Sequence, residues 1–233
     1  MMLEKLNNKI KVFDGVDLRG LLKEGGRELG VAVSDNEIAL FLRYLQELKE
    51  WGRKINLTAI KDEKEIAVRH FLDSLSVVKS LGDGKSLLDI GSGAGFPGIP
   101  LKIARPDLGV VLLDSVGKKV HFMRNVIRAL GLRGIEAIHG RAEDRSLLKR
   151  FAGSFDIVTS RAFSRLRGFL EVSLPYLKEG GIIIAIKGPK GSSELKDAAE
   201  LKNIELIKID EVILPFSDVT VQHLIFKKSW EGK

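Results

Sequence analysis

Two rhythms divide the chain. Up to about residue 85 the apolar positions recur every three or four residues, the interval of amphipathic helices, and from Ser86 onward they come in short runs, the signature of strands. In the first part Ser34 and Glu37 form a capping-box pair, and Ile38, Phe41, Leu42, Leu45 and Leu48 follow at helical spacing before Trp51-Gly52 closes the segment. That predicts one strong helix. A second is predicted over 63–79, with Ile66, Phe71, Leu72, Leu75 and Val78 on its inner face, and a weaker one over 18–29. Between the two strong helices lies the polar, basic segment Arg53-Lys54-Ile55-Asn56-Leu57-Thr58, which reads either as a simple connection or as a loop with substrate contacts. His70, beside Arg69 inside the second helix, reads as a surface or internally satisfied histidine.

The second part alternates strand and helix. Strands are predicted at 86–90, 109–113, 135–139, 155–160 and 182–187, with helices beginning near Pro97, Lys118, Arg145 and Ser164. Such alternation predicts a parallel sheet covered on both faces. Leu177-Lys178-Glu179-Gly180-Gly181 reads as a helix end with glycine stops. After a polar helix over 193–202, the apolar runs 204–214 and 219–226 flank Pro215-Phe216-Ser217-Asp218, which predicts a closing antiparallel hairpin. The expected fold class is α/β: a helical region over 1–85, then a mostly parallel sheet domain over 86–233. No repeat or low-complexity segment interrupts it.

Composition limits the partners. With 233 residues, 44% hydrophobic and 30% charged, the chain has room for one full α/β domain and a modest extra piece. No apolar run approaches the roughly 20 residues that span a bilayer, and residues 1–11 lack a signal-peptide core, so a cytoplasmic protein without membrane contact is expected. The absence of cysteine excludes disulfides, thiolate metal sites and cysteine nucleophiles, and no metal-ligand set is read. The net charge is +7, and it is uneven: residues 1–85 carry 15 basic and 14 acidic side chains, residues 86–233 carry 23 and 17. An excess of that size suits a polyanion such as RNA and equally suits lysine-rich solvated faces.

The chemistry is concentrated in Leu87-Leu88-Asp89-Ile90-Gly91-Ser92-Gly93-Ala94-Gly95-Phe96-Pro97-Gly98-Ile99-Pro100. An apolar run ends in an acid, alternating glycines follow, and Pro97 stands at the first turn of a helix. The glycines let the backbone turn and approach a ligand closely, and the N–H groups at the helix start favour an anion. Packing alone also produces such turns. The run Val110-Val111-Leu112-Leu113 then ends in Asp114, about where a second strand delivers a carboxylate to ribose hydroxyls, or caps the next helix, or both. A dinucleotide dehydrogenase would place its third glycine three residues after the second, whereas Gly91 and Gly93 are followed by Gly95 and Phe96. The Asp-x-Gly-x-Gly-x-Gly spacing resembles the first motif of class I methyltransferases, which use S-adenosylmethionine and release S-adenosylhomocysteine.

More of the chain supports that resemblance. The string 89–100, Gly140-Arg141-Ala142-Glu143, Ser160-Arg161-Ala162-Phe163, Lys187-Gly188-Pro189, Ile55-Asn56-Leu57-Thr58 and Arg69-His70-Phe71-Leu72-Asp73-Ser74 resemble, in order, the small-subunit ribosomal RNA guanine-N7 methyltransferase family, also called glucose-inhibited division protein B. Gly52 departs from it, since many members have asparagine after the tryptophan. The resemblance implies a class I S-adenosylmethionine-dependent methyltransferase fold that acts on N7 of a guanine in 16S ribosomal RNA, as RNA or as the small-subunit particle. A monomer is expected.

The residues narrow the acceptor independently. Methylation at pyrimidine C5 needs a cysteine, and exocyclic amines go with an Asn/Asp-Pro-Pro-aromatic turn where this chain has Ser160-Arg161-Ala162-Phe163. Guanine N7 offers a lone pair and no proton, so alignment matters more than a general base. A ribose hydroxyl would need a base, for which Lys187 stays open. Expected cofactor contacts are Asp89, Gly91, Gly93, Gly95, Phe96, Asp114, Ser115 and Val116, with Ala142 and Glu143 implied by the resemblance. Arg161 follows the fourth strand at the ligand-binding edge and is the expected active-site centre, holding either the cofactor carboxylate or guanine O6. Lys54, Asn56, Arg165, Lys187 and Lys190 are the candidate RNA contacts. Two other classes remain: a nicotinamide oxidoreductase, disfavoured by Phe96, by the lack of a second substrate domain and by the absence of a Tyr-x-x-x-Lys pair, and a non-catalytic RNA-binding module.

Overall fold

The computed structural model describes residues 17–161 and 163–229, so the readings at residues 1–11 and at Ala162 lie outside the described residues. The first helix, α1 (Leu18–Glu28), starts at Asp17, whose carboxylate accepts the Gly20 N–H. The second, α2 (Asp35–Gly52), begins with the expected capping box: the Ser34 hydroxyl accepts from Glu37 N–H, and the Glu37 carboxylate accepts from Ser34 N–H. The helix expected over 63–79 is helical but not one regular α-helix. It runs as α3 (Glu63–Ile66), a π-helical stretch (Ala67–Leu72) and α4 (Asp73–Leu75), with a 3₁₀ turn (Val78–Leu81) after it. Apolar spacing cannot reveal the wider turn, because one inserted residue leaves the inner face apolar.

Seven strands follow: β1 (Ser86–Ile90), β2 (Gly109–Asp114), β3 (Ile135–His139), β4 (Phe155–Ser160), β5 (Leu177–Lys187), β6 (Ile204–Ile213) and β7 (Thr220–Lys228). Their order is β3-β2-β1-β4-β5-β7-β6, parallel from β3 to β5, with β7 antiparallel to both β5 and β6. The connecting helices are α5 (Gly98–Ala104), α6 (Gly117–Ala129), α7 (Arg145–Phe151), α8 (Leu166–Ser173) and α9 (Leu195–Ala198).

Two of these elements depart from expectation. Strand β5 starts at Leu177, not 182, because α8 has already ended and Leu174–Tyr176 forms a 3₁₀ turn around Pro175. Leu177 pairs with Phe155, and the register then shifts through exposed Lys178, Glu179 and Gly180, the last with φ 72°. The glycines mark a bulge in a strand, not a helix stop. The polar helix expected over 193–202 shrinks to a 3₁₀ turn (Gly191–Glu194) and the single turn of α9.

Side chains alternate across the sheet. Leu87, Leu112, Ile157, Ile184 and Ile186 face one buried cluster together with Phe41, Phe71, Leu72, Ile99 and Phe122, so the N-terminal helices, α5 and α6 cover that face. Leu88, Ile90, Leu113, Val158, Ile183 and Ala185 face the other cluster, with Phe169, Leu170 and Tyr176. The N-terminal helices are thus packed directly beneath the ligand edge of β1.

Candidate active site

The strand order reverses between β1 and β4, and that switch point is where open α/β sheets bind ligands. The glycine loop leaves the end of β1, and Arg161 leaves the end of β4. A cleft of about 220 Å³ opens there, lined by Gly91, Asp114, Ser115, Ala142, Glu143 and Phe163 among others. It brings together five of the expected cofactor contacts that are far apart in sequence. Val116, beside Asp114, is 43% exposed.

Within the loop the glycines have different reasons to be glycine. Gly91 has φ 73°, and a Cβ added there would meet nothing within 4 Å, so its open side faces space a ligand can fill. Gly95 has φ 95°, and a Cβ there would come 2.4 Å from Ile99 Cδ1 and 2.9 Å from the Tyr44 hydroxyl. That position is closed by packing, since Tyr44 on α2 donates its hydroxyl to Ala94 O. Burial raises the Tyr44 pKa well above its ordinary value, which keeps it a donor.

The two acids also differ. Asp114 Oδ2 accepts Gly93 N–H at 2.8 Å and Oδ1 accepts Val116 N–H at 2.8 Å, so it holds both the loop and the start of the next segment. Each oxygen keeps a second lone pair for a ligand hydroxyl. Asp89 is fully buried, its Oδ2 accepts the Gly98 N–H at 3.0 Å, and burial pushes its carboxyl up to about 8. It supports the loop from behind. Phe96 likewise points into the interior, 3% exposed and stacked 5.3 Å from Tyr44 and 4.7 Å from His70.

Arg161 lies against the N-terminal helices. Its Nη1 donates to Arg69 O (3.2 Å) and to Asp73 Oδ2 (3.2 Å) and lies 3.1 Å from His70 Nδ1, while its guanidinium carbon sits 5.0 Å from the Phe96 ring centre. His70 Nε2 is 2.8 Å from Thr58 Oγ1. Burial, helped by the Arg161 charge, holds the His70 pKa down to about 3. Tyr44, His70 and Asp73 were not among the residues expected here. The available signal was His70 and Asp73 three apart beside an apolar stripe, which puts two polar groups on one helix face.

Lys187 is engaged within the protein. Its Nζ donates to Phe163 O (3.1 Å) and to both Glu194 oxygens (3.0 and 3.1 Å), and Glu194 Oε2 accepts Leu166 N–H. The pair fixes the backbone at Phe163 and Leu166. Lys54, Asn56, Arg165 and Lys190 are all exposed. Arg165 borders a cavity of about 370 Å³ with Arg167, Lys196, Glu194, Asp197 and Glu200, while Lys54 and Asn56 share the loop after α2 and Lys190 lies on the turn after β5. Among the described residues, no group of three His, Asp or Glu side chains is arranged to hold a metal, and no helix is long and apolar enough to cross a membrane.

A parallel sheet with this strand order, an antiparallel closing strand and a glycine loop at the switch point defines a class I methyltransferase fold. Solved structures share it at low identity: M. jannaschii TYW2 in complex with AdoMet (TM-score 0.54, 17% identical, 76% of this chain and 80% of that one) and TrmN from Thermus thermophilus (TM-score 0.53, 20% identical, 69% and 53%). The model of the family described as rRNA small subunit methyltransferase G matches residues 37–224. Relatives named Ribosomal RNA small subunit methyltransferase G are 43% identical in Caldanaerobacter subterraneus subsp. tengcongensis, over 89% of this chain and 88% of that one, and 44% identical in Geobacter metallireducens, over 86% and 92%. The chain belongs to the rRNA small subunit methyltransferase G family.

Proposed function

We propose that this protein transfers the methyl group of S-adenosylmethionine to N7 of a guanine in 16S ribosomal RNA. The observation that carries the reading is the placement of Arg161 and the glycine loop at the ends of the two strands of the switch point. Bound there, S-adenosylmethionine supplies a methyl group activated by a positively charged sulfur. The cleft fits an adenosine: Gly91 leaves room, Asp114 keeps lone pairs for ribose hydroxyls, and Ser115, Ala142 and Glu143 line the walls. Tyr176 donates to Ala142 O at 2.7 Å, which fixes that wall.

The base needs no deprotonation, because N7 presents a lone pair. Arg161 must leave that lone pair free, so its donors address O6, a phosphate or the cofactor carboxylate. Lys187 and Glu194 hold the backbone at Phe163 and Leu166 and act on the base by steadying that segment. Lys54, Asn56, Arg165 and Lys190 contact RNA phosphates and sugars. Single-turnover transfer of labelled methyl to small-subunit RNA tests the assignment. Arg161→Ala should lower the rate at saturating RNA and cofactor, and Arg161→Lys should restore only part, since lysine lacks the planar fork. A normal rate in Arg161→Ala would remove Arg161 from the reaction centre.

A further inference from the structure

The π-helical stretch and α4 bury two polar side chains, His70, whose Nδ1 lies 2.9 Å from Arg69 O, and Asp73. Asp73 is 5% exposed, its Oδ1 has no partner among the described residues, and its Oδ2 is bound by Arg161. A carboxylate with an unpaired buried oxygen costs stability, and buried ion pairs commonly stabilise no better than apolar side chains of similar size. Folding alone therefore does not account for it. What the arrangement fixes is direction. All three contacts to the helix use Nη1 of Arg161, and Phe96 lies under the guanidinium, so one edge and one face of a planar group are held. Among the described residues the donors on Nε and Nη2 have no partner, which leaves them for a ligand. His70 is fixed in turn, stacked on the same Phe96 and tied through Nε2 to Thr58.

We infer that Asp73 and His70 are positioning residues for methyl transfer, which hold the Nη1 edge of Arg161 so that its remaining donors meet the target base. The inference rests on the assignment of Arg161 to the reaction centre. It makes the N-terminal helices part of the active site: the 53–58 loop supplies Thr58, the π-helical stretch supplies Arg69 O and His70, and α4 supplies Asp73.

The test is a double-mutant cycle on the full chain, with Asp73→Asn, Arg161→Ala and the pair together. Single-turnover rate, cofactor affinity by calorimetry and the thermal midpoint are read for each. Asp73→Asn should slow transfer about tenfold or more, as expected for loss of a charge-assisted hydrogen bond. Cofactor affinity and the midpoint should stay at parent values. In the Arg161→Ala background the same change should cost nothing further, because Asp73 acts only through Arg161. Asp73→Glu, which keeps the charge, should recover part of the rate. Parent-level turnover in Asp73→Asn, additive losses in the pair, or a slower rate accompanied by a lowered midpoint and weaker cofactor binding would each overturn the inference. If Asp73→Asn does not fold, the same cycle with His70→Gln decides. Parent-level turnover in Arg161→Ala would instead defeat the assignment of Arg161, a distinct result.

Discussion

Asp114 carries two duties on one carboxylate, since it already accepts the Gly93 and Val116 N–H groups and is the acid best placed for a ribose. Asp114→Asn keeps the shape but removes the charge, and calorimetric titration should show S-adenosylmethionine binding weakened by about tenfold. Unchanged affinity would reject the ribose role. The buried histidines make a separate prediction about acid stability. Burial holds His223 at about 4 and, with the charge of Arg161, His70 at about 3, against 6.5 ordinarily. As pH falls below 6.5 the unfolded chain takes up protons that the native state refuses, so this part of the stability is present above 6.5 and lost toward pH 4. Asp89, pushed up to about 8 by burial, works in the opposite sense, because there the native state holds the extra proton. His223→Asn isolates one contribution: urea unfolding between about pH 6 and about pH 4.5 should show the parent losing roughly 1.4 kcal/mol per pH unit more than the variant. Parallel pH profiles would contradict it.

At the scale of elements, the glycine loop was legible because its reasons are contiguous in sequence, yet its individual glycines were not interchangeable. Gly91→Ala puts a methyl into open space at a positive φ, a strain of about 1–3 kcal/mol, and should weaken cofactor binding more than folding. Gly95→Ala meets Ile99 and the Tyr44 hydroxyl as well, so equilibrium unfolding should show it to be the more destabilised of the two. The reverse order would contradict the packing of α2 on the loop. The strands of the parallel sheet were readable from their apolar runs. The early start of β5 was not, because the bulge at Lys178, Glu179 and Gly180 uses the same residues that end helices. The π-helical stretch was also hidden, since period alone does not register one inserted residue.

For the molecule as a whole, the positive charge lies mainly beyond residue 85, and RNA affinity should fall steeply with salt as counterions are released. Lys54→Ala or Lys190→Ala should each reduce the slope of log K against log salt by about one, whereas Lys187→Ala should leave it, because that ammonium is bound to Glu194 and Phe163 O. A filter-binding salt series distinguishes the three. The family pattern made the two halves of the chain readable, but not their meeting: Arg161 and Asp73 are 88 positions apart and touch only because the N-terminal helices pack beneath the switch point. The central claim is the acceptor atom. Small-subunit RNA incubated with the protein and labelled S-adenosylmethionine, then digested to nucleosides, should carry the label in 7-methylguanosine. Label in a ribose-methylated or C5-methylated nucleoside would contradict the account.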